Sequence, residues 1–130
     1  MPPPLGKVPT RKMPSIQVFG TDDSNSTRAA MRFFRERRIV VSYVDLAKKA
    51  IAPGELRRFT DRLGAAALLD TESRAYRDAG LAYLSTDTAG ITSRLLADVR
   101  LLRLPLVRYG ELVTAGKAEA TWRDWLARPR

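Results

Sequence analysis

From Ile16 to Val44 the chain carries the pattern of a strand, a helix and a second strand, and this pattern constrains its fold more than any other feature. Ile16-Gln17-Val18-Phe19 runs into Gly20, as a strand entering a turn does. A helix is expected from about Asn25 or Ser26, either of which can cap it through a side-chain oxygen. Ala30, Phe33 and Phe34, at i, i+3 and i+4, form one apolar face, and Arg28, Arg32 and Arg35 cover another. The helix should stop near Arg37 and Arg38. Ile39-Val40-Val41-Ser42-Tyr43-Val44 is β-branched and aromatic, the composition of a buried strand. A βαβ unit follows, with its two strands parallel.

The remaining segments fit around that unit. Pro53–Leu63 reads as a helix with proline in its first turn, Leu56, Phe59 and Leu63 on one face and Gly64 as its stop. Ala65–Leu69 is a short apolar patch, and Ser73–Ala79 is a helical turn or two closed by Gly80. Thr88–Arg100 is expected to be helical, with Ile91, Leu95, Leu96 and Val99 as its apolar stripe. Leu104–Val113 holds two short apolar pieces around Gly110, the pattern of a β-hairpin. Ala118–Ala127 closes the chain as a helix whose Trp122, Trp125 and Leu126 face the core rather than offering a stacking site for bases.

Composition narrows the chemistry. The 130 residues include no cysteine and no histidine, so neither a thiol nor an imidazole can act in catalysis. The length suits one domain, read here as residues 15–130. Residues 1–14 hold five of the eight prolines together with Lys7, Arg11 and Lys12, and are expected to be a flexible basic extension. No apolar run approaches the roughly 18–20 residues that span a bilayer, and the first residues lack the apolar stretch of a signal peptide. The expectation is a cytoplasmic protein with no membrane partner. A net charge of +9 favours polyanions, but the arginines are dispersed and not interleaved with aromatics, which leaves nucleic-acid binding as a weak alternative.

Four segments in order resemble the arsenate-reductase-like ArsC/Spx family. Val18-Phe19-Gly20-Thr21, a polar loop and Ser26-Thr27-Arg28-Ala29-Ala30, continuing to Phe33–Ile39, are similar to its opening. Val44-Asp45-Leu46 is similar to its second strand and that strand's exit, Leu69–Leu81 to its middle helical segment, and Leu101–Val107 to the run entering its hairpin. The resemblance spans about Ser15 to Leu126. It implies a thioredoxin-like α/β fold: a mixed four-stranded sheet flanked by helices, with a helical insertion between the βαβ unit and the hairpin. It also implies a cysteine in the first loop, where this chain has Ser24, and in some members a second where it has Thr27.

A helix N-terminus favours an anion and so makes a thiolate available. A hydroxyl at Ser24 has a far higher pKa and forms no disulfide, so the family's redox cycle cannot run on it. The arginines that hold the oxyanion in arsenate reductases align with Asp70, with Leu104 (Arg103 lies one residue earlier) and roughly with Lys117. The hairpin proline is carried over as Pro105, and the resemblance implies that its peptide bond is cis. Ser24, Asn25, Ser26, Thr27 and Arg28, with Arg103, Pro105 and Lys117, are therefore the candidates for a groove or anion site. Ser24 is read as a vestigial catalytic position, a loop or capping residue. Asp22 and Asp23 lack the spaced partners of a metal site and read as turn residues. No cofactor is expected.

The reading is a redox-inactive binding or regulatory module with a protein partner, the transcription machinery by analogy with the Spx branch, or a small oxyanion. The alternatives are a thiol-dependent oxidoreductase, should position 24 naturally be cysteine, and a basic nucleic-acid-associated protein.

Overall fold

The computed structural model describes residues 15–81 and 87–127. The expected basic extension, residues 1–14, lies outside the described residues. Four strands, β1 (Ile16–Gly20), β2 (Val41–Asp45), β3 (Leu106–Tyr109) and β4 (Leu112–Ala115), form one sheet in the order β2-β1-β3-β4. β1 and β2 are parallel, with Ile16 opposite Val41 and Gly20 opposite Asp45. β1 and β3 are antiparallel, with Val18 opposite Val107, and β3 and β4 form the hairpin. Among the described residues five α-helices surround the sheet: α1 (Asn25–Glu36), α2 (Pro53–Leu63), α3 (Arg74–Asp78), α4 (Thr88–Ala97) and α5 (Glu119–Ala127). This is the mixed four-stranded, thioredoxin-like arrangement expected from the sequence, with the helical insertion between β2 and β3.

Successive strand residues face opposite sides of the sheet, and the core divides accordingly. Ile16, Val18, Val107 and Tyr109 pack with Ala30, Phe33 and Phe34 of α1 and with Trp122 and Trp125 of α5. Phe19 and Leu106 face the other way, onto Leu56 and Phe59 of α2, Leu95 of α4 and the 3₁₀ turns that hold Leu68 and Leu101. Both tryptophans are core anchors, as their spacing implies.

Local signals account for most boundaries. α2 starts at Pro53 and ends at Gly64, whose φ of +85° lies in the region glycine favours. α3 is capped by Ser73, whose Oγ accepts from the Tyr76 amide at 3.1 Å. Three expectations need correction. α1 starts at Asn25 as expected, but its cap is Ser24, as one reading of that residue has it, and not Asn25 or Ser26. α4 does not continue to Arg100: Asp98 leaves the helical region (φ −143°, ψ 104°) and caps a separate 3₁₀ turn, Val99–Leu101. The second strand begins at Val41 and is not buried, because the strand order makes it an edge; Val40, just before it, is 84% exposed.

Candidate functional site

The loop between β1 and α1 positions Ser24. The Gly20 carbonyl accepts from the Leu46 amide at 2.8 Å, tying the end of β1 to the chain leaving β2. Thr21 donates its hydroxyl to the Asp23 carboxylate at 2.8 Å, and the Ser24 amide donates to the Thr21 carbonyl at 3.2 Å. The turn delivers Ser24 in extended geometry at the N-cap of α1. There its Oγ accepts from the Thr27 amide at 3.1 Å. This satisfies one of the amides a helix start leaves without an intrahelical partner. Ser24→Ala is expected to cost about 1 kcal/mol, read as a lower urea midpoint at unchanged slope. A change below a few tenths would show that the cap is energetically idle.

A cleft of about 350 Å³ opens beside this loop. Asp23, Ser24, Asn25 and Ser26 form one wall, and Asp70, Arg100 and Leu104 stand opposite. Arg100 is the one cation among the described residues that line it, and it is already engaged. Its Nε and one terminal nitrogen each meet an Asp98 carboxylate oxygen at 2.9 Å. Those hydrogen bonds hold the Asp98 carboxyl below its ordinary range. Asp70 is also turned to local work: Oδ1 accepts from the Glu72 amide at 3.1 Å, and its carbonyl accepts from the Ser73 hydroxyl at 2.8 Å. With Arg100 balanced by Asp98, Asp23 and Asp70 leave the cleft acidic.

The chain matches the ArsC family over residues 19–125. It belongs to the ArsC family. Solved structures agree in fold. The YffB (PA3664) protein superposes with a TM-score of 0.78 at 20% identity, over 87% of this chain and 100% of its own. An arsenate reductase from Vibrio cholerae gives 0.74 at 13% identity, over 85% and 97%. An arsenate reductase (ArsC) related protein from Brucella melitensis gives 0.65 at 17%, over 88% and 96%. At these identities the likeness concerns the fold alone. No curated protein matches the chain.

Within this ArsC-family fold the candidate residues do not converge on one place. Ser24, Asn25 and Ser26 share the cleft. Thr27 is 1% exposed beneath the loop, and its hydroxyl has no hydrogen-bond partner among the described residues. Arg28 lies on a different groove, with Arg32, Arg35 and Tyr43. Its guanidinium donates to the Asp22 carbonyl at 2.8 Å and to the Asn25 side chain.

Arg103 does not line the cleft. Its Nε and one terminal nitrogen donate to the Ala67 and Leu69 carbonyls at 3.3 and 3.1 Å, which makes it a brace for the segment before α3. Pro105 is buried, and its peptide bond to Leu104 is cis. Lys117 is exposed and is not part of the cleft wall.

Asp22 accepts the Tyr43 hydroxyl at 2.9 Å. Burial first, and then the Asp22 carboxylate, hold that phenol well above its ordinary range, so it stays a donor. Among the described residues no three His, Cys, Asp or Glu side chains gather as metal ligands would.

Arg100 and its partner Asp98 are the site residues that sequence reasoning missed. The available signal was Asp98 itself, a strong cap residue inside a segment read as continuous helix.

Gly20 is held by packing as well as by the turn. A Cβ there would sit 2.4 Å from Thr27 Oγ1 and 2.6 Å from Thr27 Cγ2. Gly20→Ala is expected to cost about 1–3 kcal/mol by overpacking. Adding Thr27→Ala removes the two nearest atoms, so the double substitution should cost less than the sum of the singles. Simple additivity in chemical denaturation would show that the two positions do not touch.

Proposed function

We propose that this ArsC-family chain is a redox-inactive binding and regulatory module whose working surface is the cleft beside Ser24. The observation that carries the reading is the use made of position 24. A hydroxyl sits at the helix N-terminus and is spent on capping α1, in a chain without a single thiol. The arsenate reductase activity named for the Vibrio cholerae neighbour is not extended to this chain. The cleft offers Asp23 and Asp70 where an oxyanion needs cations, and Arg100 already serves Asp98.

A protein partner in the cytoplasm therefore fits better than a small oxyanion. The transcription machinery is the candidate by analogy with the Spx branch.

Two measurements test this together. Purified protein supplied with arsenate and glutathione should show turnover no higher than the blank. Capture of a defined partner from cell lysate should be lost with Ser24→Trp, which fills the cleft mouth, and kept with Ser24→Ala, which loses the same cap without adding bulk. Turnover above the blank would overturn the redox-inactive reading, and capture unaffected by the tryptophan would move the working surface elsewhere.

A further inference from the structure

The sheet leaves β2 with a free flank. Among the described residues β2 pairs only with β1, so its other side presents backbone donors and acceptors without strand partners. Natural edge strands are commonly guarded by lysine, proline or a bulge. Here the edge reads Val41-Ser42-Tyr43-Val44-Asp45, preceded by the exposed Val40. It lacks both lysine and proline.

Beside the edge, on the α1 side of the sheet, runs a groove of about 390 Å³ bounded by Tyr43, Met31, Arg28, Arg32 and Arg35. The arginines recur at i, i+4 and i+7, so one face of α1 carries all three. Arg32 and Arg35 are exposed, and their guanidinium groups make no ion pair or hydrogen bond among the described residues. Asp22, the one carboxylate among the described residues that line the groove, accepts the Tyr43 hydroxyl, and Asp45 at the end of β2 and Asp23 lie near enough to Tyr43 to act on it.

We propose that the β2 edge, with the arginine face of α1 above it, is a docking site for an acidic extended peptide segment that adds to the sheet as a fifth strand. Strand addition supplies main-chain hydrogen bonds, and alternate side chains supply specificity. On a strand laid against β2, every second side chain falls on the α1 side, which carries the unengaged guanidinium groups of Arg32 and Arg35 and that of Arg28, itself bonded to the Asp22 carbonyl and Asn25. Carboxylates at those positions complement them.

The same charge argues against a second copy of this chain. Two β2 edges paired antiparallel in one continuous sheet would bring both arginine faces to the same side, like against like. A nucleic acid would use the arginines but not the strand edge, and the groove shows no aromatic face set out for stacking; its one ring, Tyr43, is half-buried and bonded to Asp22.

The test uses the full chain and a fluorescein-labelled short peptide alternating glutamate and valine, followed by anisotropy. Binding is expected to weaken as salt rises, and to weaken by about tenfold or more with R32E/R35E. Both arginines are exposed, and circular dichroism confirms the fold of the variant. Two further peptides carry methyl groups on alternate backbone nitrogens. The set that blocks the N–H groups facing β2 should abolish binding, and the complementary set should leave it unchanged.

Equal effects of the two methylated sets would reduce the interaction to charge alone and overturn the strand addition. Absence of binding overturns the proposal outright. So does tighter binding of a single-stranded oligonucleotide lost through R32E/R35E, which assigns the face to nucleic acid. Concentration-dependent dimerisation blocking the peptide would assign the edge to a second copy.

Discussion

Ser24→Cys is expected to turn a chain with no alkylatable thiol into one that takes up one equivalent of iodoacetamide, yet to leave arsenate reduction at the blank level. The first half follows from the cap. The Thr27 amide that now donates to Ser24 Oγ at 3.1 Å would donate to sulfur instead, and the helix N-terminus favours the negative form. The introduced thiol should therefore titrate below the ordinary value of about 8.5. The adjacent Asp23 and the facing Asp70 oppose the shift, so the depression should be smaller than a helix N-terminus alone would give. The pH dependence of alkylation measures it. Substituting Asp23 with Asn in the same background should lower the thiol pKa further.

The second half follows from the facing wall. A thiolate and an arsenate dianion must approach each other, and the described cleft lining offers no uncommitted cation to hold them together. Adding Asp70→Arg to Ser24→Cys replaces an acid with a cation at the position aligned with an oxyanion-holding arginine. It should raise activity above the single variant, with glutathione supplying the electrons. If Ser24→Cys alone reduces arsenate, the wall's charge is irrelevant and the case against an oxyanion site fails. If alkylation proceeds no faster than for an exposed cysteine, the α1 N-terminus does not activate this position.

How much of this was legible in the residues depends on how local each signal is. α2 was readable to its ends because a proline, an apolar stripe and a stop glycine lie within one short window. The core layer on one side of the sheet was readable because Ala30, Phe33 and Phe34 mark one helix face that packs there, and Trp122 with Trp125 marks another. The status of β2 was not. A run such as Val40-Val41-Ser42-Tyr43-Val44 looks the same in mid-sheet and at an edge, and only the strand order, a property of the whole chain, decides between them.

The site failed at a similar point. Arg100 and Arg103 are close in sequence and alike in chemistry. The break at Asp98 turns the first toward the cleft, while the second reaches back to the carbonyls of Ala67 and Leu69. Residue type showed that cations stood nearby. The direction of each side chain came from a backbone break that hydrophobic periodicity alone does not register.

Trp122→Ala is expected to cost about 3–5 kcal/mol, a large share of the stability of a domain this size. Trp122 is fully buried, where the hairpin, α1 and α5 meet. Its ring centroid lies 5.5 Å from that of Phe33 and 5.3 Å from that of Phe34. Its Nε1 donates to Thr114 Oγ1 at 2.8 Å, which ties α5 to β4. Alanine removes the ring contacts and leaves a cavity that two helices and a sheet cannot close without moving together.

Trp122→Phe keeps an aromatic ring and gives up the hydrogen bond and part of the volume, so it should cost clearly less. Urea denaturation followed by far-ultraviolet circular dichroism avoids reading the tryptophan being removed. The midpoint should fall steeply for alanine and modestly for phenylalanine, at similar slopes. A loss below about 1 kcal/mol for alanine would contradict full burial. It would also revive a role for this tryptophan as an exposed platform for a base.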